Sequence, residues 1–218
     1  WSELTFDTLI IQDNVTRIGE NAFSNRTNLK SVTIPDSVKS IGTSAFWECE
    51  NLNVYISSLS AWCEKTFDSW IGGTYNLYLN NELVTDLVIP NGIASINAFS
   101  FNNCGSLTSV TIPDGVTSIG VCAFDDCEGL KRVMIPGSVT SIGRMAFCWC
   151  RSLTDVTISE GVTMIGGAAF AHCNNLTSIV IPDSVKSMGE EAFEECNSLA
   201  SVTLSKGLTE IAHHAFTE

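Results

Sequence analysis

The sequence repeats with a period of 23 residues, and no other feature limits its possible folds as strongly. All five prolines follow an apolar pair at the same point of the repeat, and phenylalanines recur in steps of 23 on both sides of one gap. A fixed period of this length predicts stacked units rather than a globule that encloses an active site. The recurring residues are Pro35, Pro90, Pro113, Pro136 and Pro182, and Phe23, Phe46, Phe101, Phe124, Phe147, Phe170, Phe193 and Phe216.

One repeat unit from the middle of the chain indicates how each turn of the stack folds. Val110 and Ile112 alternate with a threonine, which is the pattern of a strand with one buried face. Pro113 lacks the N–H that a central strand needs and therefore ends the strand. Gly120, which recurs in most units, needs either positive φ or a close approach of the backbone. The Ala-Phe-x-x-Cys segment at 123–127 has the spacing of a short helical or 3₁₀ turn.

A single unit is too short to bury its own apolar side chains, so we expect the units to stack. Equivalent residues then form continuous internal rows, with parallel strands about 4.8 Å apart along the stack. A second, shorter extended segment is expected at Val116–Ile119. The predicted fold class is α/β, mostly β: a right-handed solenoid with parallel strands and short helical or 3₁₀ turns. We expect residues 1–218 to form one such domain and to be a fragment of a longer protein.

The repeat is interrupted once, where 55 residues rather than 46 separate Phe46 from Phe101. The segment at about 52–83 is therefore predicted to contain one irregular turn and an insertion. Helical spacing over 59–67 follows Ser58, which is a suitable N-cap. Strands are predicted at Tyr75–Leu79 and Leu83–Ile89, around a turn at Asn80-Asn81, and a flexible joint is expected at Gly72-Gly73.

Four aromatic residues of this irregular segment form a candidate ligand site. A row of aromatic rings suits a sugar, whereas amphipathic spacing favours packing of the same rings against the stack. We favour packing, with Trp70 as the ring most suited to exposure. The four residues are Trp62, Trp70, Tyr75 and Tyr78.

The repeat resembles the BspA-like leucine-rich repeat family. The phrase that carries the resemblance is Leu-Thr-Ser-Val-Thr-Ile-Pro-Asp-Gly-Val-Thr-Ser-Ile-Gly-x-x-Ala-Phe-x-x-Cys at Leu107–Cys127, and it recurs over nearly the whole chain. The segment Trp62–Pro90 also resembles an irregular element found between repeats in these proteins. The resemblance implies a leucine-rich-repeat solenoid of a bacterial cell-surface or secreted protein. It implies adhesion to host proteins or other cells, and it supplies no catalytic residue.

Five positions depart from the family pattern, and we expect them to loosen local turns without altering the fold. Gln12, Ser159 and Ser205 replace the proline, whereas Asn97 and Ala212 replace the glycine.

The nine cysteines favour a buried row of free thiols. Six of them share one repeat position, and cysteine behaves as a small hydrophobe when buried. Stacked Cβ atoms also point the same way, which makes the torsion of a disulfide unfavourable. The Cys-x-Cys at 148–150 lacks zinc-like spacing, and His172 beside Cys173 is a weak candidate for nucleophilic catalysis. We therefore expect no metal, no cofactor and no catalytic residue.

The net charge of −13 argues against nucleic acid and against anionic membrane surfaces. No apolar run is long enough for a membrane helix, and no signal segment is visible. Acidic residues follow the phenylalanines, where a solvated edge is favoured over a docking surface for a basic partner. The recurring Asp36, Asp114 and Asp183 suit calcium, but aspartate is also a standard turn residue, and we favour the turn.

The outward face of the predicted sheet offers a candidate contact site. Its residues are mostly small and polar, but one unit carries Lys131, Arg132 and Met134, with Asp155 on the next. Lys131 and Asp155 are alternatively a simple ion pair across units. These four residues are the predicted ligand-binding residues.

The predicted function is a non-enzymatic protein-binding or adhesion module. From the family resemblance we expect an extracellular or cell-surface location. The expected partner is a protein of the host matrix or of another cell surface. Carbohydrate binding through the aromatic residues and a purely structural spacer are the alternatives.

Overall fold

A computed structural model describes residues 6–69 and 72–217. The chain forms a mostly β solenoid of about eight turns, with parallel strands and about 23 residues per turn. The predicted fold class is therefore confirmed. Within the described residues, one helix is present, α1 (Leu59–Cys63).

Most turns contribute one strand to a first ladder and a shorter strand to a second ladder, and one lengthened turn contributes two strands to the first ladder. The first ladder consists of β1 (Thr8–Ile10), β3 (Ser31–Thr33), β5 (Leu52–Ile56), β7 (Tyr75–Leu79), β9 (Asp86–Val88), β11 (Ser109–Thr111), β13 (Arg132–Ile135), β15 (Asp155–Ile158), β17 (Ser178–Val180) and β19 (Ser201–Thr203). The second ladder consists of β2 (Arg17–Ile18), β4 (Ser40–Ile41), β6 (Thr66–Phe67), β10 (Ser95–Ile96), β12 (Ser118–Ile119), β14 (Ser141–Ile142), β16 (Met164–Ile165) and β18 (Ser187–Met188). One further strand, β8 (Glu82–Leu83), pairs antiparallel with β7.

The first ladder consists of three sheets, in the orders β1-β3-β5-β7-β8, β9-β11-β13-β15 and β17-β19. In the middle sheet, Val110 lies opposite Leu87 on one side and Val133 on the other, 23 residues away in each direction. These three side chains are buried, whereas Thr111 and Met134 point outward. The alternation predicted from the sequence is therefore confirmed.

The phenylalanines form the predicted internal row. From Phe101 to Phe216 the neighbouring rings are stacked with centroids 5.2–5.5 Å apart and interplanar angles of 4–7°. Phe23 and Phe46 stack in the same way at 5.3 Å. Neighbouring rings belong to consecutive turns of the coil, so their stacking contacts stabilise the packing of each turn on the next.

The recurring glycines allow close approach between turns. A Cβ on Gly143 would lie 2.6 Å from the carbonyl carbon of Gly120, a distance that real Cβ atoms do not adopt. Positive φ occurs elsewhere, at non-glycine residues such as Cys122 (51°) and Asp126 (58°). Of the two explanations for the glycine, close backbone approach is therefore the correct one.

The segment after each glycine is a series of β-turns. The N–H of Cys127 donates to the carbonyl of Phe124 at 3.4 Å, as a 3₁₀ turn requires. The N–H of Phe124 instead donates to Ala146 of the next turn at 2.8 Å. Hydrogen bonds within one turn and hydrogen bonds to the next turn alternate along the segment. The predicted short 3₁₀ turn is therefore present, but it does not extend into a helix.

The irregular segment consists of one modified turn and one lengthened turn. Leu52 lies opposite Tyr75, so the turn that contains α1 has the normal 23 residues. The extra residues lie in the next turn, where β7 and β8 form a hairpin. Asn80 and Asn81 connect them with φ of 50° and 69°, as a tight hairpin turn requires. The predicted strand Tyr75–Leu79, the Asn80-Asn81 turn and the Ser58 N-cap, which accepts a bond from the N–H of Ala61 at 3.2 Å, are confirmed. The second predicted strand, 83–89, is instead divided into β8 and β9, which belong to different sheets. The predicted helix is also shorter, because it ends at Cys63 and the following Thr66–Phe67 form β6.

Gly72 is not the flexible joint that the sequence indicated. It is buried and forms a parallel β-bridge with Phe46. An added Cβ would collide with the carbonyl of Phe46, so this glycine also allows a close backbone approach.

Candidate functional site

The outer face of the first ladder is the most extensive candidate surface, and we call it the ladder face. Its side chains alternate between small hydroxyl residues and exposed apolar residues. Val88, Met134 and Val180 are 58%, 64% and 60% exposed, although each is a large apolar side chain. Thr111 lies between the first two, opposite both in the strand register. The result is a mixed apolar and hydroxyl stripe that runs along the stack.

Three of the four predicted contact residues, Arg132, Met134 and Asp155, lie on this face, and Lys131 directly precedes β13. Lys131, Arg132, Met134 and Asp155 are all exposed. The register places Arg132, not Lys131, opposite Asp155. Within the described residues no ion pair joins Asp155 to either cation, so the simple Lys131–Asp155 pair is not formed. The charges remain available to a partner.

The structure divides the four aromatic candidates. Trp62 is fully buried, and its Nε1 donates to the carbonyl of Ser100 at 2.9 Å. Tyr75 is 2% exposed, with its hydroxyl 3.5 Å from the same carbonyl. Neither ring can stack on a ligand, so these two residues are packing residues. Trp70 lies outside the described residues.

Tyr78 does reach the ladder face, and it does so beside a residue that the sequence did not single out. Its ring stacks on that of Tyr55 with centroids 4.7 Å apart, and both side chains are partly exposed. Tyr55 lies opposite Thr33, which is 22 residues earlier in the sequence rather than 23. Counting in steps of 23 from Thr33 leads to Ile56, which is buried, and this is why Tyr55 was missed.

All nine cysteines are free and buried. In the predicted row, Cys127, Cys150, Cys173 and Cys196 each donate an S–H bond to the carbonyl of the phenylalanine 26 residues earlier, at 3.1–3.2 Å. Burial raises the pKa of the first three thiols well above 9. The thiols are therefore protonated at neutral pH and act as structural donors, since the thiolate is the reactive form.

His172 does not pair with Cys173. Its ring stacks on Trp149 with centroids 3.7 Å apart, and its Nδ1 lies 3.1 Å from the carboxylate of Glu195. Cys173 points into the core toward Phe147. The two side chains of the weak nucleophile candidate therefore point in different directions.

The aspartates that follow the prolines contribute to turn structure. The carboxylate of Asp183 accepts bonds from the backbone N–H and the Nζ of Lys206, both at 3.0 Å. Glu160 accepts from the N–H groups of Asp183 and Ser184 at 3.1 and 3.0 Å. These carboxylates connect consecutive turns of the solenoid, and the turn interpretation of the aspartates stays a prediction. Within residues 6–69 and 72–217, no group of three or more His, Cys, Asp and Glu residues has the arrangement of a metal site.

Lys65 and Asp125 are charged residue types whose side chains are buried. The Nζ of Lys65 donates to the carbonyls of Pro35 and Val38, and burial lowers the pKa of this lysine to about 8. Asp125 is 7% exposed and accepts a bond from the Nδ2 of Asn102 at 3.1 Å. The solvated edge expected after the phenylalanines is therefore wrong for Asp125, whose equivalents on the neighbouring turns, Asn102 and Cys148, are buried as well.

The ordered strand ladder, the buried leucine, phenylalanine and cysteine rows and the extended outer face define a leucine-rich repeat solenoid. The family model of the BspA type leucine-rich repeat region matches residues 1–71, 74–197 and 163–218. The chain therefore belongs to this family. A search of curated protein sequences gives no match.

Several solved bacterial structures are similar. A leucine-rich repeat protein from Eubacterium ventriosum has 20% identity and a TM-score of 0.59, over 93% of this chain and 73% of that one. A leucine rich cell surface protein from Faecalibacterium prausnitzii has 26% identity and a TM-score of 0.50, over 97% and 73%. The pneumococcal vaccine antigen PcpA has 14% identity and a TM-score of 0.50, over 97% and 75%.

Proposed function

We propose that this chain is a non-enzymatic module that binds a protein partner through the part of the ladder face around Val88, Met134 and Val180. The observation that carries the proposal is the row of outward apolar side chains, Val88, Met134 and Val180, each more than half exposed. Exposed apolar side chains arranged along one face are typical of protein-interaction surfaces. Arg132 and Asp155, directly opposite each other, add unpaired charges of both signs next to Met134. Such charges favour selection of a partner rather than general adhesion.

A bacterial cell-surface or secreted location is part of the proposal. The F. prausnitzii relative is described as a cell surface protein, which supports this location. In the described part of the chain, no helix has the length and apolar character needed to cross a bilayer. The expected partners are proteins of the host matrix or of another cell surface, and the expected role is adhesion.

Two matched methionines make the proposal testable. Met134 lies on the ladder face and is 64% exposed, whereas Met164 lies on the second ladder and is 46% exposed. The chain and the variants Met134→Glu and Met164→Glu are tested for binding to a panel of purified matrix proteins. We expect one or more proteins to bind, with at least ten-fold weaker binding for Met134→Glu and little change for Met164→Glu.

The result also separates binding from a spacer role. Equal loss in both variants, with circular dichroism showing both folded, would contradict a site on the ladder face. If no purified protein binds the folded chain, the structural spacer becomes the better description.

A further inference from the structure

We infer that the first turns of the solenoid form a second site, which takes a ring of a neutral saccharide. The site is a cleft of about 400 Å³ at the carboxyl ends of β1, β3 and β5, near the Asn80-Asn81 turn. This volume lies within the range of small-molecule sites in proteins. The cleft is separate from the Met134 surface, which lies on another sheet of the same ladder.

Three of the residues that line the cleft lie on neighbouring strands. Ile10, Thr33 and Tyr55 lie side by side in the register of β1, β3 and β5. Thr33 is short and forms the floor, whereas Ile10 and Tyr55 are larger and form the two sides. Because neighbouring strands are about 4.8 Å apart, the two sides are about 9.6 Å apart at the backbone.

A gap of this width suits one flat ring. A ring in van der Waals contact on both of its faces needs about 7–8 Å between the wall atoms, since carbon atoms approach to about 3.5–4.0 Å. One face of Tyr55 is covered by Tyr78, at a centroid distance of 4.7 Å. Its other face points along the stack toward Thr33 and is available to a ligand. The contact with Tyr78 thus fixes the orientation of the Tyr55 ring, so that its free face is a preorganised stacking surface.

The polar groups around the cleft identify the ligand class. Gln12, Asn80 and Asn81 line it with exposed side-chain amides, for which the described residues provide no side-chain hydrogen bond. An amide both donates and accepts, which matches hydroxyl groups that do the same. Among the described residues that line the cleft, Asp13 alone is charged, although the whole chain carries a net charge of −13. A neutral, hydroxyl-rich ring therefore fits better than an anionic sugar or a charged peptide.

The test uses two ways of closing the cleft and two matched controls. Tyr55→Ala removes the stacking surface, and Thr33→Phe fills the floor with a side chain that strands favour. Tyr55→Phe keeps the ring, and Thr203→Phe makes the same change at an equivalent exposed threonine on β19. The purified chain is screened against an array of neutral and sialylated glycans, and the hits are titrated by NMR.

We expect a neutral glycan to bind, at least ten-fold more weakly to Tyr55→Ala and Thr33→Phe and within two-fold of the parent for Tyr55→Phe and Thr203→Phe. The inference is wrong if no neutral glycan binds, if only sialylated glycans bind, or if binding survives Thr33→Phe. Met134→Glu should leave glycan binding unchanged, and Tyr55→Ala should leave protein binding unchanged. Failure of this site and failure of the protein-binding surface are therefore distinguishable.

Discussion

At the scale of single residues, burial determines the chemistry of the titratable groups. Asp125 is the clearest case, because its neighbours do not compensate fully for the loss of water. Its Oδ1 has no partner of good hydrogen-bond geometry within the described residues, and Asn102 contacts only the other oxygen. Burial, and then the charge of Asp126, raise the pKa of Asp125 from 3.8 to about 7, while the Cys122 thiol and the Asn102 amide oppose the shift.

The raised pKa makes stability depend on pH in a defined direction. Below about pH 3 the carboxyl is neutral in both states, so no penalty arises. As the pH rises toward 7, the unfolded chain ionises first, and the folded chain loses stability relative to it. We expect Asp125→Asn to match the parent near pH 3 and to be more stable at pH 8, by at most about 4 kcal/mol. Urea unfolding at several pH values checks this, and a difference that does not grow with pH would contradict it.

The thiols lead to a second prediction at this scale. Because the row of thiols is buried and protonated, a chromogenic disulfide reagent should modify fewer than one of the nine cysteines in the folded chain. After unfolding in guanidinium without reductant, all nine should react. Rapid reaction before unfolding would show exposed thiols, and fewer than nine afterwards would show disulfides.

At the scale of the elements, the sequence predicted the regular turns well, because their strands, prolines and glycines follow local rules. It placed the turn between β7 and β8 and the N-cap of α1 for the same reason. It did not predict the contacts between unlike turns, which depend on three-dimensional neighbours. Asn97 was expected to loosen its turn, yet its Nδ2 donates to the carbonyls of Cys63 and Lys65, both at 3.1 Å. Ser205 likewise donates to Val185 and accepts from the N–H of Gly207, both at 2.8 Å.

Alanine substitutions at two glycines compare a position packed against the next turn with a position in open space. In Gly143→Ala the new methyl group would lie within 2.6–2.7 Å of the backbone of Gly120 and Val121. We expect a loss of about 1–3 kcal/mol, because the two turns must move apart. Gly115→Ala is the control, since its Cβ would meet nothing within 4 Å. It should be neutral or stabilising by up to about 1 kcal/mol. The midpoints of urea unfolding compare the two, and equal midpoints would show that the turns are not tightly packed.

At the scale of the whole molecule, the period of the sequence determines the architecture but does not determine the candidate sites. The stacked phenylalanine row follows directly from the spacing of 23. The cleft beside Tyr55 depends instead on a shift of one residue between β3 and β5, which places an aromatic residue outward where the regular count expects a buried one. The exposed Met134 was found because it differs from its neighbours within a regular row. Regular turns are thus predictable from sequence, whereas sites at irregular turns require the structure.

A stack in which each turn contacts mainly its neighbours should respond locally to damage. Phe147 is fully buried, with its ring stacked between Phe124 at 5.2 Å and Phe170 at 5.3 Å. Phe147→Ala should therefore reduce stability by about 3–5 kcal/mol. Phe216→Ala should reduce stability by roughly half as much. The reason is that Phe216 is partly exposed and, among the described phenylalanines, stacks on Phe193 alone.

Hydrogen exchange then tests whether the damage stays local. In Phe147→Ala the loss of amide protection should be greatest in β14 and its neighbours β12 and β16, and smallest in β2 and β4, which lie on the far side of the irregular turns. The reason is that a local opening exposes only the adjoining interfaces, while distant turns keep all of their contacts. A uniform loss of protection along the whole chain would instead show that the solenoid unfolds as one cooperative unit, and that the irregular turns transmit stability between its two ends.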